Sequence, residues 1–231
     1  MTLVEAARHA FGLLLSGDAV LWGIIWISLR VSILALLLAA LPAVALGFLL
    51  ATLTFPGRRI FIVMLQTMLA LPTVVIGLLL YLLLSRVGPL GEWHWLFTQN
   101  AMILGEAMLA FPILAAMTLT AVQGLDSRTA ETARTLGASP LRAALAMLLE
   151  ARFAVMAALA NGFGRVLSEI GCAMMVGGNI AGVTRNITTA IALETSKGEF
   201  AQGIALGIVL VALALAINFL IAWLQGKGDM R

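Results

Sequence analysis

From Val31 through Gly57 the chain carries no charged side chain, and further charge-free runs follow at Ile60–Ser85, Ala107–Leu125, Phe153–Gly164 and Phe200–Gly226. A helix needs ~20 apolar residues to cross ~30 Å of hydrocarbon. In water such runs would have to be covered by polar surface, and this chain has little. Of its 231 residues, 62% are hydrophobic and 11% charged, where a soluble domain carries about a quarter charged. The bilayer is therefore the main solvent. Lipid offers backbone groups no partners, so continuous apolar runs mean helices rather than the alternating strands of a barrel. The predicted fold class is an all-α membrane protein with five transmembrane helices.

The runs predict spans at about 20–54, 60–85, 100–124, 151–176 and 200–225. The fourth continues past Arg165 and Glu169 to Val176. Together they form one transmembrane domain over residues 19–226, with a tail at 227–231. Residues 1–18 precede it, and Leu3, Ala7, Ala10 and Leu14 fall at the spacing of a short amphipathic helix lying on the membrane surface. The apolar stretch Ala10–Leu15 is too short for a signal peptide and lacks a small-residue cleavage pattern. Pro42, Pro72 and Pro112 each fall inside a span and predict a kink. The single cysteine, Cys172, has no partner for a disulfide within the chain.

Lysine and arginine set the orientation. With five spans, one set of loops holds Arg58, Arg59, Arg128, Arg134, Arg142, Arg152, Lys227 and Arg231. The other holds Arg8, Arg86, Arg185 and Lys197. The larger set marks the cytoplasm, which predicts a multi-pass cell-membrane protein with its N-terminus outside and its C-terminus inside. This bias explains the net charge of +3 without invoking nucleic acid.

One polar segment interrupts the apolar pattern on the cytoplasmic side, at residues 123–150. Asp126 is placed to cap a helix over Ser127–Leu136, and Gly137 to end it in a left-handed conformation. Ser139 then caps a second helix that Pro140 opens, running on through Arg152 into the fourth span. Small residues (Ala130, Ala133, Ala138) line one side of the first helix, which suits insertion into a groove on a partner.

Glu131, Ala133 and Gly137 reproduce the Glu-Ala-Ala-x-x-x-Gly signature of ABC importer permeases, with Thr132 in place of the first Ala. The Leu-Pro that often follows in that family is absent, Leu149 being followed by Glu150. SLRVS at 28–32, FPGRR at 55–59, ALPTVVIGLLLYLLLSRVGPLG at 70–91 and GRVLSEIG at 164–171 resemble the molybdate, tungstate and sulfate group of these permeases. The stretch MMVGGNIAGVTRNITTAIALETSKGEF at 174–200 looks most like the tungstate type. The resemblance implies a type I importer permease in which Glu131, Ala133, Leu136, Gly137 and Ala138 form a coupling helix docked on an ATP-binding subunit. It also implies two copies of that ATPase, a periplasmic or extracellular oxyanion-binding protein, and a homodimer of this chain in membrane lipid. No Gly-x-x-x-x-Gly-Lys-Ser/Thr phosphate loop occurs, so the expectation is no cofactor in this chain, with ATP and Mg held by the partner. The chain is then not itself an enzyme.

Within the membrane, Arg165 and Glu169 stand at i, i+4 and predict a neutralising pair. Two readings remain open for them: a structural pair at the bundle or dimer interface, or an arginine that attracts the anion along its path. Glu106 predicts an interfacial or interhelical hydrogen bond rather than transport chemistry. In the outer loop, Gly178, Asn179, Thr184 and Arg185 offer amide, hydroxyl and guanidinium groups suited to an oxyanion. They read either as a gate or as a polar connection between helices. An ATP-independent secondary transporter fits less well, since no internal duplication is evident. A membrane enzyme lacks a catalytic cluster, because His9 and His94 lie outside the spans.

Overall fold

A computed structural model describes residues 8, 11, 12, 15–126 and 128–225, and within these every regular element is helical. The expected surface helix over 1–18 falls largely on residues outside that set, as does the tail at 227–231. Helix α1, Ala19–Thr52, starts where Asp18 Oδ1 accepts the Leu21 N–H at 2.8 Å. It keeps Pro42 inside it and ends where Arg58 Nε donates to the Leu50 carbonyl at 2.6 Å.

The expected second span, 60–85, is instead two helices, α2 at Arg58–Leu69 and α3 at Thr73–Leu84, set at 98° to one another. Pro72 causes the break rather than a mere kink. It lacks an N–H and disfavours helical backbone at Leu71, so it becomes the extended residue that starts α3. A 3₁₀ turn at Gly91–Trp93 then leads to α4, Gln99–Gln123. After it come α5 at Arg128–Thr135, α6 at Pro140–Glu150 and α7 at Arg152–Leu167. The chain closes with α8 at Gly171–Gly177, α9 at Ile187–Ser196 and α10 at Phe200–Gln225.

By length and composition, α1, α4 and residues Gln202–Leu220 of α10 can each cross a membrane. The bent pairs α2–α3 and α6–α7 raise the number to as many as five if each is one crossing. The expected fourth span, 151–176, is itself interrupted at Ser168–Ile170.

Helix α4 is the centre of the bundle, packing along α1 and touching α2, α3, α7 and α8. Its seam with α1 and α7 is built mostly of Ala35, Ala39, Ala43, Ala110, Ala115 and Ala158 around Leu114. Small residues let backbones approach, which is how helices gain contact in lipid, where hydrophobic exclusion between them is lost. A second cluster joins Leu80 and Leu84 of α3 to Met102, Cys172 and Val176. A third ties Leu21, Ile24 and Ile25 of α1 to Ile187 and Leu206.

Ser28 fastens that third region. Its hydroxyl donates to the Ile24 carbonyl at 3.0 Å and accepts the buried Ile187 N–H at 2.7 Å. Ser28→Ala leaves a helix-start N–H buried without an acceptor, at a cost of about 1–3 kcal/mol. The temperature at which half the purified chain stays monodisperse on size exclusion should fall by several degrees. An unchanged temperature would mean that this hydrogen bond contributes nothing to the fold.

Candidate functional site

The polar segment folds much as its capping chemistry dictates. Asp126 Oδ1 accepts the Arg128 N–H at 2.9 Å, and the Asp126 carbonyl accepts Thr129 N–H at 3.0 Å. At the other end of α5, Gly137 adopts φ +81°. Its N–H donates to the Arg134 carbonyl and that of Ala138 to the Ala133 carbonyl, both at 3.0 Å. These are the paired bonds of a Schellman turn, and they satisfy carbonyls that the helix end would leave bare. Ser139 Oγ accepts the Arg142 N–H at 3.4 Å, with Pro140 at the first position of α6.

The helix expected to run from Pro140 into the fourth span is broken instead, α6 and α7 meeting at 63° around Ala151. The bend forms without a proline. Arg152 Nη1 turns back to the Leu149 carbonyl at 3.1 Å, supplying a donor to the end of α6, while its guanidinium lies 4.5 Å from the Phe153 ring centre.

The segment's outer surface is bare. Glu131 and Gly137 are exposed, Ala133 and Ala138 half-buried, and Leu136 is 83% exposed. Leu141, Leu145 and Leu149 of α6 are exposed as well, and their i, i+4, i+8 spacing places them in one stripe.

The expected ion pair is present, with Arg165 Nη1 3.1 Å from Glu169 Oε2. The helix does not carry both residues, because α7 ends at Leu167 and Glu169 lies in the break before α8. Glu169 is 2% exposed and is held from several sides. Its Oε1 accepts the Cys172 N–H at 3.1 Å, and its carbonyl accepts the Thr188 hydroxyl at 2.7 Å. Arg165 is 44% exposed, so its guanidinium has an open side. Glu106 makes the interhelical bond expected of it, its Oε2 accepting the Ser32 hydroxyl at 3.0 Å.

Gly178, Asn179, Thr184 and Arg185 gather in one turn. Gly178 and Asn179 both have positive φ, 69° and 52°. The Thr184 hydroxyl is buried inside the turn, donating to the Gly177 carbonyl and accepting the Ile180 N–H at 3.0 Å. Arg185 Nε donates to Asn179 Oδ1 at 3.3 Å and Nη2 to the Asn179 carbonyl at 3.4 Å. Arg185 also lines a cavity of about 270 Å³ with Asp18, Glu194 and Gln202. Thr184 thus spends its hydroxyl on the loop's own fold, whereas Arg185 keeps a face toward open space.

Ser28 and Ser32, which the sequence pattern did not single out, tie these elements together with Asn186 and Thr188, two outer-loop residues expected to offer polar groups to an oxyanion but used here within the fold. Asn186 caps α9 through the Thr189 N–H at 2.9 Å, and Thr189 reciprocates to the Asn186 N–H at 3.1 Å. The available signal was two hydroxyls one turn apart in an apolar span, and an Asn-x-x-Thr before an apolar run.

Comparison with known proteins follows the same lines. Residues 43–228 match the family described as binding-protein-dependent transport system inner membrane component. The tungstate uptake system permease protein TupB of Campylobacter jejuni subsp. jejuni is 45% identical over 166 residues, 72% of this chain and 70% of that one. The protein of the same name from Peptoclostridium acidaminophilum is 37% identical over 223 residues, 96% of this chain and 98% of its own. The molybdenum transport system permease protein ModB of Escherichia coli K12 is 32% identical over 88% of this chain and 93% of its own. A solved structure of the MetNI methionine ABC transporter shares the fold, with a TM-score of 0.67 at 16% identity over 97% of this chain and 98% of that one. The chain belongs to the family of inner-membrane components of binding-protein-dependent transport systems.

Proposed function

We propose that this chain is the permease subunit of an ATP-driven oxyanion importer and that its oxyanion is tungstate. The observation that carries the reading is the 37% identity to a tungstate uptake permease across 96% of this chain. Five crossings of the membrane, with the N-terminus outside, put α5 in the cytoplasm. Two copies of the chain enclose the path, since C2 is the commonest symmetry of homo-oligomers. Each presents Glu131, Ala133, Leu136, Gly137 and Ala138 to one of two ATP-binding subunits. ATP and Mg reside in those partners, and an external binding protein delivers the anion.

Closure of the ATPase pair moves the α5 helices, and α6 and α7 carry that movement into the membrane. The path then opens outward to receive the anion and inward to release it. Arg185, with Gly178 and Asn179, faces the arriving anion at the outer turn. Thr184 holds that turn in shape. The Arg165–Glu169 pair lies deeper, and the open side of Arg165 gives the anion a positive group along its way.

Tungsten and molybdenum content, measured by mass spectrometry in a strain lacking this chain and grown at nanomolar oxyanion, tests the reading. Loss of tungsten alone, restored by the intact chain, is the expected result. Loss of molybdenum instead would keep the importer and replace its cargo, and no change in either metal would remove the oxyanion assignment.

A further inference from the structure

A groove of about 360 Å³ runs between α1, α7 and α10. Leu29, Ile33 and Leu36 of α1 form one wall, and Phe163, Leu213 and Ala216 stand among the residues opposite. Every side chain lining it is hydrocarbon. Arg30, next in the chain to the lining residue Leu29 and one turn before Ile33, is exposed, with no hydrogen bond, ion pair or ring contact among the described residues. Trp22, Trp26, Arg30, Ile33 and Leu37 follow one another at three- and four-residue spacing, so they share one exposed stripe of α1.

The depth of Arg30 can be read from the Ser32–Glu106 hydrogen bond, which fixes the level of α1 against α4. At 1.5 Å per residue, Glu106 lies ~10 Å from the Gln99 end of α4, and Arg30 about 3 Å nearer that end. The 25 residues of α4 measure ~38 Å and overreach a ~30 Å hydrocarbon core by about 4 Å at each end. The Arg30 backbone therefore sits only ~4 Å inside the hydrocarbon, and its side chain can extend to the headgroup layer. Trp26 and Trp22 lie one and two turns further out, at the level where indoles anchor.

We infer that Arg30 and the groove bind a glycerophospholipid with a net negative headgroup, in the leaflet facing the start of α1. The guanidinium takes the phosphate and the groove takes one acyl chain. Two other occupants fit poorly. A hydrated oxyanion has no polar group to meet in a hydrocarbon groove. A second copy of the chain would need a carboxylate opposite Arg30, yet the acidic residues at membrane depth, Glu106 and Glu169, are both buried and engaged.

The purified full chain, exchanged into mixed micelles of phosphatidylglycerol and phosphatidylcholine, tests this by native mass spectrometry. The native chain should keep one phosphatidylglycerol at activation energies that have already removed phosphatidylcholine. Arg30→Gln should lower the retained fraction about tenfold, the loss of one charge-assisted contact. Ala216→Phe leaves Arg30 in place, fills the groove and should do the same. Equal loss of the two lipids from the native chain overturns the site, a comparison that no folding defect in a variant can blur. Full retention by either variant also overturns it, as does Arg30→Gln dissociating a dimer while lipid retention stays unchanged.

Discussion

Gly47→Leu should leave little folded protein, and what survives should lose heat resistance at roughly 10 °C lower temperature. A Cβ at Gly47 would strike the Ala115 carbonyl and would lie 2.8 Å from Thr118 Cβ and 3.1 Å from the Leu119 amide nitrogen. Most of these atoms are backbone of α4, so no rotamer change relieves the clash. The helices must part instead, drawing Ala43, Leu50 and Ala115 out of the core they share. Overpacking of this kind costs 1–3 kcal/mol in ordinary cores and more where nothing can yield. About 3 kcal/mol corresponds to ~10 °C in a chain of this size. Gly207→Ala is the control, because a Cβ there meets nothing within 4 Å. Monodisperse protein surviving a heating series on size exclusion is the readout. A Gly47→Leu chain as heat-resistant as the native one would mean that α1 and α4 are not so closely joined.

That seam also shows which parts of the fold were legible in the sequence. Helices α1, α4 and α10 follow from long apolar runs because lipid enforces helix wherever no residue forbids it. The breaks were harder to read. Pro72 was visible, but whether a proline kinks or ends a helix depends on what receives the freed backbone groups, and that is decided by packing. The break at Ser168–Ile170 has no proline at all. It is held by Glu169, through Arg165, the Cys172 N–H and the hydroxyl of Thr188 from a distant helix, and no local pattern encodes such a partner.

The candidate site divides the same way. The turn at Gly137 was legible because capping involves residues within five positions of each other. The use of Thr184 inside its own turn was not, since its partners Gly177 and Ile180 meet it only once the loop has folded. Hydroxyls in polar loops look alike in sequence, whether they face a ligand or the chain itself.

The second large effect is expected at that legible turn. Gly137→Pro should reduce oxyanion uptake at least tenfold while the chain still inserts and runs as a folded protein. Proline holds φ near −65°, far from the +81° at Gly137, and it removes the N–H given to the Arg134 carbonyl. With the turn's geometry gone, the Ala138 N–H loses the Ala133 carbonyl too, so the end of α5 unwinds and Leu136 leaves its place. The spans are spared, because Gly137 is exposed and nothing stands within 4 Å of where a Cβ would be. Gly137→Ala sets the scale: left-handed backbone costs a non-glycine residue about 1–2 kcal/mol, so uptake should fall only a few-fold. Uptake is to be read beside co-purification of the ATP-binding subunit and the ATPase rate of the complex. Loss of uptake with the subunit still bound and hydrolysing ATP would mean that the turn transmits movement, and loss of the subunit itself would mean that it forms the dock. A Gly137→Pro chain that inserts, binds its ATPase and transports as the native one does would take the coupling role away from α5.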